Sequence, residues 1–322
     1  MKRILFFLLF NLPVISLMAG PNVDYVDSDE LNTIAYSLDG KYIAVANLRG
    51  TIKIYDSVTL DIINTIPLNQ PYGWTSQIAF SPDGIHIASC AGDNLLIHEF
   101  NTGKIVHRLP KATSISYNFD GTRLVSGSGK ITIWDTMNGN EIMSMQGPRF
   151  INTISYSPDG NRILSNSEGY IIIWDANNGT QLRTIAEQGI HTVSASYSQD
   201  GTRIIVGYSD RDDYGAQAIR IYDSENYDVL FSRIIGRGEI KNAFFTQSNN
   251  YIVIAYYYTD YNLYKGISQI IIMNSANGNI MDTIPHGNYF VNARFPVAID
   301  YSNNNIAYVA NGKDIRTYKI NL

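Results

Sequence analysis

The chain of 322 residues has one cysteine, Cys90, so it cannot close a disulfide within itself. Charged residues make up only 16% of it, the formal net charge is −5, and no basic run is present. That combination lacks the positive footprint needed to hold a phosphate backbone, which excludes a nucleic-acid binder. The five histidines, His86, His98, His107, His191 and His286, form no close pair at metal-ligand spacing. There is no Gly-x-Ser-x-Gly elbow, no phosphate-cradling glycine loop and no Ser-x-Asp-x-Gly-x-x-Trp box. No catalytic, cofactor or metal residue is therefore expected. Cys90, in Ile87-Ala88-Ser89-Cys90-Ala91, reads as a buried, inert thiol. Beyond the first residues no window carries a helical apolar stripe.

Long apolar runs are also missing, except at the start. Lys2 and Arg3 precede an apolar stretch from Ile4 to Leu17, followed by the small residues Ala19 and Gly20. This is the three-part pattern of a secretory signal, and the stretch is short of the roughly 20 residues of a membrane span. Residues 1–19 are expected to be a signal peptide and residues 20–322 a single exported domain, periplasmic or extracellular, with no membrane span once the signal is removed.

What the chain does have is a repeat. Residues Asn152 to Asn178 contain a strand ending in Tyr156, the turn Ser157-Pro158-Asp159-Gly160, a second strand, and a third ending in Trp174-Asp175. Proline presets φ at the first central position of the turn, and Asp-Gly suits those that follow. Alternation such as Ile131, Thr132, Ile133 has the period of two that marks a strand. Aligned on the aromatic that ends the first strand, the copies fall at Tyr36, Phe80, Tyr117, Tyr156, Tyr197, Phe245 and Phe295. The turn decays in the last two, to Thr246-Gln247-Ser248-Asn249-Asn250 and to Asp300 through Asn304. A second hairpin signal follows most third strands, as at Asn138-Gly139, Asn178-Gly179 and Asn277-Gly278, before a fourth strand.

Four antiparallel strands in about 40 residues is the period of a propeller blade. One such sheet cannot cover both of its apolar faces, so it stacks on neighbours, and radial stacking buries both. The expected fold is all-β: a seven-bladed β-propeller of four-stranded antiparallel blades. The last blade runs out of chain before its outer strand, and Val23 to Val26 is expected to supply it by pairing near Ile315 to Ile320. The ring is then closed by the N-terminal strand.

These turns, the Ile-x-Ile-Trp-Asp pattern at Ile131 to Asp135 and Ile171 to Asp175, and the repeat count resemble the WD-repeat β-propeller family over about residues 22 to 322. The Ser-x-Asp-Gly turns are also similar to those of Tol-type periplasmic propellers. The chain departs from the family in lacking its Gly-His dipeptide and in keeping only two Trp-Asp pairs. The resemblance implies a non-catalytic scaffold that binds other proteins, here as a monomer. The alternative is a periplasmic propeller enzyme, a hydrolase, lyase or lactonase, with its active site at the central channel.

Segment length points to a partner surface. Ser209 to Gly215 and Tyr257 to Gly266 lengthen the connections between second and third strands in the fifth and sixth copies. They lie on the face opposite the Asp-Gly turns, together with the segment from Gln70 to Trp74. Tyrosine gives large contact area with few rotors to immobilise. Tyr72, Trp74, Tyr214, Tyr257, Tyr258, Tyr261 and Tyr264 are the expected partner-binding residues. The other reading is that these are extended hairpins whose tyrosines pack on one another. Asp210, Asp212 and Asp213 before Gly215 fit a calcium loop only in part, since no bidentate Glu closes it.

Overall fold

The computed structural model describes residues 25–26, 31–68, 75–167, 169–186, 190–210, 216–260, 265–289, 297–299, 305–310 and 314–320. Every described element is a strand, and each strand pairs antiparallel within a four-stranded sheet. Blade one shows the plan: Leu31–Tyr36, Tyr42–Asn47, Thr51–Asp56 and Ile62–Pro67 lie side by side in chain order. Blades two to six repeat it, opening with Thr75–Phe80, Ser114–Tyr117, Thr153–Tyr156, Ile190–Tyr197 and Glu239–Phe245.

The expected seven-bladed propeller is corrected to six blades, each built from one continuous stretch of chain. The remaining sheet is a composite of both ends of the chain. Val297–Ile299, Asn305–Ala310 and Asp314–Lys319 are completed on the outside by Tyr25–Val26. The reason is local. The copy aligned on Phe295 has no Ser-x-Asp-Gly turn, its outer strand comes from Tyr25–Val26, and Phe295 itself lies outside the described residues. The N-terminal pairing falls where the spacing puts it, with Tyr25 opposite Ile315 and Val26 opposite Asp314. Ile315 packs against Leu31, Ile43 and Val45 of blade one, while Ile306 and Tyr308 pack against Val253 and Ile272 of blade six. The composite sheet therefore joins the two flanking blades.

The Asp-Gly turns form as their chemistry requires. In blade four, Gly160 takes φ 72° and donates its N–H to the Ser157 carbonyl at 2.9 Å. Arg162 N–H donates to Ser157 Oγ at 2.9 Å, and the Asp159 carboxylate accepts from Asn161 N–H at 3.1 Å. The decayed sixth turn keeps this geometry, with Asn249 at φ 58° donating to the Thr246 carbonyl at 2.9 Å.

The first strands of successive blades lie next to one another around the ring. Small polar side chains stitch them where no ladder runs. Gln77 Oε1 accepts from Ile115 N–H at 2.9 Å, Ser114 Oγ accepts from Ile154 N–H at 3.0 Å, and Thr153 Oγ1 accepts from Ala195 N–H at 3.2 Å. The first strands of blades one to four contain no Asp, Glu, His, Lys or Arg.

Candidate functional site

The described parts of the long connections of blades five and six, Ser209 and Asp210 in one and Tyr257 to Asp260 with Lys265 and Gly266 in the other, belong to strands. The second and third strands of blade six, Tyr251–Asp260 and Lys265–Asn274, have 10 residues each, against 6 in blade one. Their ladder continues through Tyr257 opposite Ser268, Tyr258 opposite Ile267 and Asp260 opposite Lys265. Tyr257 is buried, its Oη has no hydrogen-bond partner among the described residues, and Lys241 Nζ lies 5.9 Å from its ring centroid. Tyr258 is half-buried and stacks on Tyr256 with centroids 5.8 Å apart. The backbone of Gly238 passes so close that a Cβ there would meet the Tyr257 carbonyl and, at 2.9 Å, the Tyr258 Cβ. Of the seven tyrosine and tryptophan positions, these two are described, and they pack against their own blade. Tyr72, Trp74, Tyr214, Tyr261 and Tyr264 lie outside the described residues, as do the side chain of Asp210 and the segment from Asp212 to Gly215.

Among the described residues no group of three His, Cys, Asp or Glu side chains converges as metal ligands would. Cys90 is buried, and desolvation pushes its thiol up to about 12, consistent with an inert role. His86 sits 3.1 Å from the Asp83 carboxylate, and His107 Nε2 lies 3.1 Å from the Thr136 carbonyl. The side chains of His191 and His286 are outside the described set.

The opposite face carries clefts between neighbouring Asp-Gly turns, which the sequence reading passed over. One of about 270 Å³ lies between blades one and two. Tyr42, Phe80 and Phe100 fill it with aromatic contacts, the Tyr42–Phe100 centroids 5.2 Å apart and the Phe80–Phe100 centroids 6.1 Å. The cleft between blades four and five, about 350 Å³, puts Arg162, Tyr197 and Ser224 at the equivalent positions, has Asp159 and Asp200 where the first cleft has Asp39 and Asp83, and adds Asp223 and Glu225. Burial works against ionisation of Asp159 and Asp200, but hydrogen bonds from Ser157 and Ser198 and from neighbouring N–H groups outweigh it. Both carboxyls stay below the usual range. Arg162 Nη1 donates to the Ser224 carbonyl across the cleft at 2.8 Å. The signal available in the sequence was Glu225. The matching positions in the other continuous blades are Val58, Asn101, Met137, Asn177 and Ala276.

The profile of the WD domain, G-beta repeat family matches residues 139–175. That stretch runs from the turn before the outer strand of blade three to Asp175, the end of the third strand of blade four. The chain groups with the WD-repeat β-propellers. Both of its Trp-Asp pairs keep a buried bond of the same kind, Trp134 Nε1 donating to Ser126 Oγ at 2.8 Å and Trp174 Nε1 to Ser165 Oγ at 2.9 Å. A second profile, that of the eukaryotic translation initiation factor eIF2A family, matches residues 9–97 of this WD-repeat chain. An uncharacterized WD repeat-containing protein of Synechocystis sp. is 29% identical over 141 residues, 41% of this chain and 39% of its own length. The small ribosomal subunit protein RACK1 of Caenorhabditis elegans is 24% identical over 46% of the chain and 50% of its own length. The echinoderm microtubule-associated protein-like 1 of Rattus norvegicus is 25% identical over 57% of the chain and 26% of its own length. The chain thus spans half or less of the length of the relatives it matches.

Proposed function

We propose that the protein is a non-catalytic interaction scaffold, exported from the cytoplasm, that holds a protein partner on the face carrying the extended hairpins of blades five and six. The observation that carries this reading is the asymmetry of the ring. The strands of blade six that reach this face have 10 residues where blade one has 6, and the added length is rich in tyrosine. Elongation on one side of a repeat scaffold is the usual way such a fold carries a partner surface. The first strands of blades one to four bring Ser, Thr, Asn and Gln to the middle of the ring rather than carboxylates or imidazoles, which weighs against a channel enzyme.

The test is site-specific photocrosslinking in the intact producing cell. A benzophenone side chain at Tyr258 is expected to give a discrete protein adduct in the exported fraction, and one at Val58, on the opposite face, is expected to give none. The mature protein in that fraction is expected to begin at Gly20. Adducts from Val58 but not from Tyr258 would overturn the choice of face, and a chain retained in the cytoplasm with Met1 intact would overturn export.

A further inference from the structure

The cleft between blades four and five gathers more acid than its turns require. Four carboxylates, Asp159, Asp200, Asp223 and Glu225, face one guanidinium, that of Arg162. Asp200 and Asp223 each use one oxygen, Oδ1, to hold turn N–H groups, Asp200 that of Thr202 and Asp223 those of Glu225 and Asn226. Every hydrogen bond these two carboxylates accept among the described residues goes to Oδ1, and the carboxylates are arrayed around the cleft rather than gathered at one point. Tyr197 also lines this cleft. Its residue surface is only 6% exposed, and its Oη has no hydrogen-bond partner among the described residues. A buried hydroxyl without a partner forfeits hydration and is costly to keep unless something else completes it.

Tyr156 repeats the buried, unpartnered hydroxyl one blade earlier, beside Asp120 and Arg123. There the turn after the third strand offers Asn177 instead of an acid. The Tyr117 hydroxyl of blade three is buried and unpartnered among the described residues as well, so what is particular to the cleft of blades four and five is the added carboxylate of Glu225 beside such a hydroxyl.

We propose that this cleft is a binding site for a cationic side chain, the guanidinium or ammonium group of an arginine or lysine on a partner polypeptide. The Asp200, Asp223 and Glu225 carboxylates accept its N–H donors, and Tyr197 Oη accepts another at the back of the cleft. Such charge-assisted bonds are directional and among the stronger polar contacts available to a surface cleft. An elongated cation suits carboxylates spread along a cleft better than a compact metal ion, which draws its ligands together. The site lies on the face opposite the extended hairpins and stands whether or not those hairpins bind a partner.

The test is a titration of the full-length protein with a capped Gly-Arg-Gly peptide, followed by amide NMR. The control arms are the Gly-Glu-Gly peptide and spermidine. Saturable shifts are expected at Gly201, Thr202 and Glu225 with the arginine peptide, and none with the glutamate peptide. Losing one bond to a charged group should weaken binding about tenfold, so Glu225→Gln and Tyr197→Phe should each do so. Tyr197→Phe should hold or raise the melting temperature, because the hydroxyl makes no bond among the described residues and its burial is a cost, and Tyr156→Phe should leave peptide affinity unchanged. Four results would each overturn the proposal. They are no saturable shift with arginine, equal shifts with glutamate, undiminished affinity in Tyr197→Phe, and spermidine outcompeting the peptide at the same amides.

Discussion

His98 stands where blades three and four have tryptophan, and the residues around it explain what that exchange costs. Leu124 pairs with Trp134, Ile163 with Trp174 and Ile87 with His98. Two residues beyond each partner comes a serine, Ser126, Ser165 or Ser89. The indoles reach their serines, whereas His98 Nε2 and Ser89 Oγ are both buried without partners among the described residues. Blades one, five and six, which carry Tyr55, Tyr222 and Met273 instead, have Val45, Val206 and Ile254 at the serine position. Serine under tryptophan and aliphatic under tyrosine or methionine is a local pairing rule within one chain, and blade two satisfies only half of it. Desolvation holds the His98 imidazole below its ordinary 6.5, with the Gly103 carbonyl offsetting part of the effect. Below pH 6.5 the unfolded chain takes up this proton and the folded one resists it, so stability falls as the pH drops from 7 towards 5. The depressed turn aspartates act only in a more acid window, beneath 3.8. Urea midpoints measured across that range should decline in the parent and flatten in His98→Trp, and a flat parent curve would sink the argument. A second substitution tests the decayed turn. Asn249 adopts a left-handed φ and its Oδ1 accepts from Gln199 N–H of blade five at 2.8 Å. Asn249→Ala should cost about 1–2 kcal/mol through strain and the lost bond. Asn249→Gly, which relieves the strain, should cost about 0.5 kcal/mol or less, as read from chemical denaturation.

At the scale of elements, strand identity was legible because the period of two and the Asp-Gly and Asn-Gly signals act over a few residues each. The same turn chemistry tolerates Asn249 in place of glycine, so blade six was found even though its motif had decayed. The composite sheet shows the limit. Its last turn lacks the motif, and equivalence with the continuous blades could not be carried through Phe295. The hairpins of blades five and six were legible as added length, but not as ladder. Tyr257 and Tyr258 look like recognition residues in the sequence, and only the pairing with Ser268 and Ile267 and the stack on Tyr256 reveal their packing. The acidic cleft was harder still, since it joins turns from two blades and depends on a hydroxyl whose isolation exists only in three dimensions. Gly238 tests the packing of the hairpin directly. Gly238→Ala pushes a methyl into the Tyr257 carbonyl and Tyr258 Cβ, overpacking that typically costs about 1–3 kcal/mol. Denaturation should show that loss, and Gly84→Ala gives the contrast. Its Cβ would meet nothing within 4 Å, so only the φ of 69° is strained. Equal costs at the two positions would mean that the hairpin does not rest on the preceding segment.

The whole molecule is held by joints between sheets as much as by the sheets themselves. Arg203 illustrates one on the Asp-Gly face. From blade five its Nη2 donates to the Asn249 carbonyl at 2.8 Å and its Nη1 to Ser275 Oγ at 3.2 Å, while its guanidinium lies 4.8 Å from the Phe245 ring centroid, all in blade six. Arg162 makes the same kind of reach from blade four to Ser224. At the junction of the chain ends the joint is a strand instead, Tyr25–Val26 against Asp314–Lys319. Tyr318 Oη adds a bond to the Asp282 carboxylate of blade six at 2.5 Å. Ring closure therefore depends on two segments nearly 300 residues apart in sequence, so it contributes to stability only when every intervening blade is folded. A chain beginning at Asp27 should lose about 2 kcal/mol relative to one beginning at Gly20, roughly 1 kcal/mol for each backbone bond of that short ladder. It should also self-associate, because the Asp314–Lys319 strand becomes an unpaired edge. Denaturation gives the first quantity and sedimentation velocity the second. A truncated chain as stable and as monodisperse as the longer one would mean that apolar packing of the composite sheet against blades one and six closes the ring without the strand.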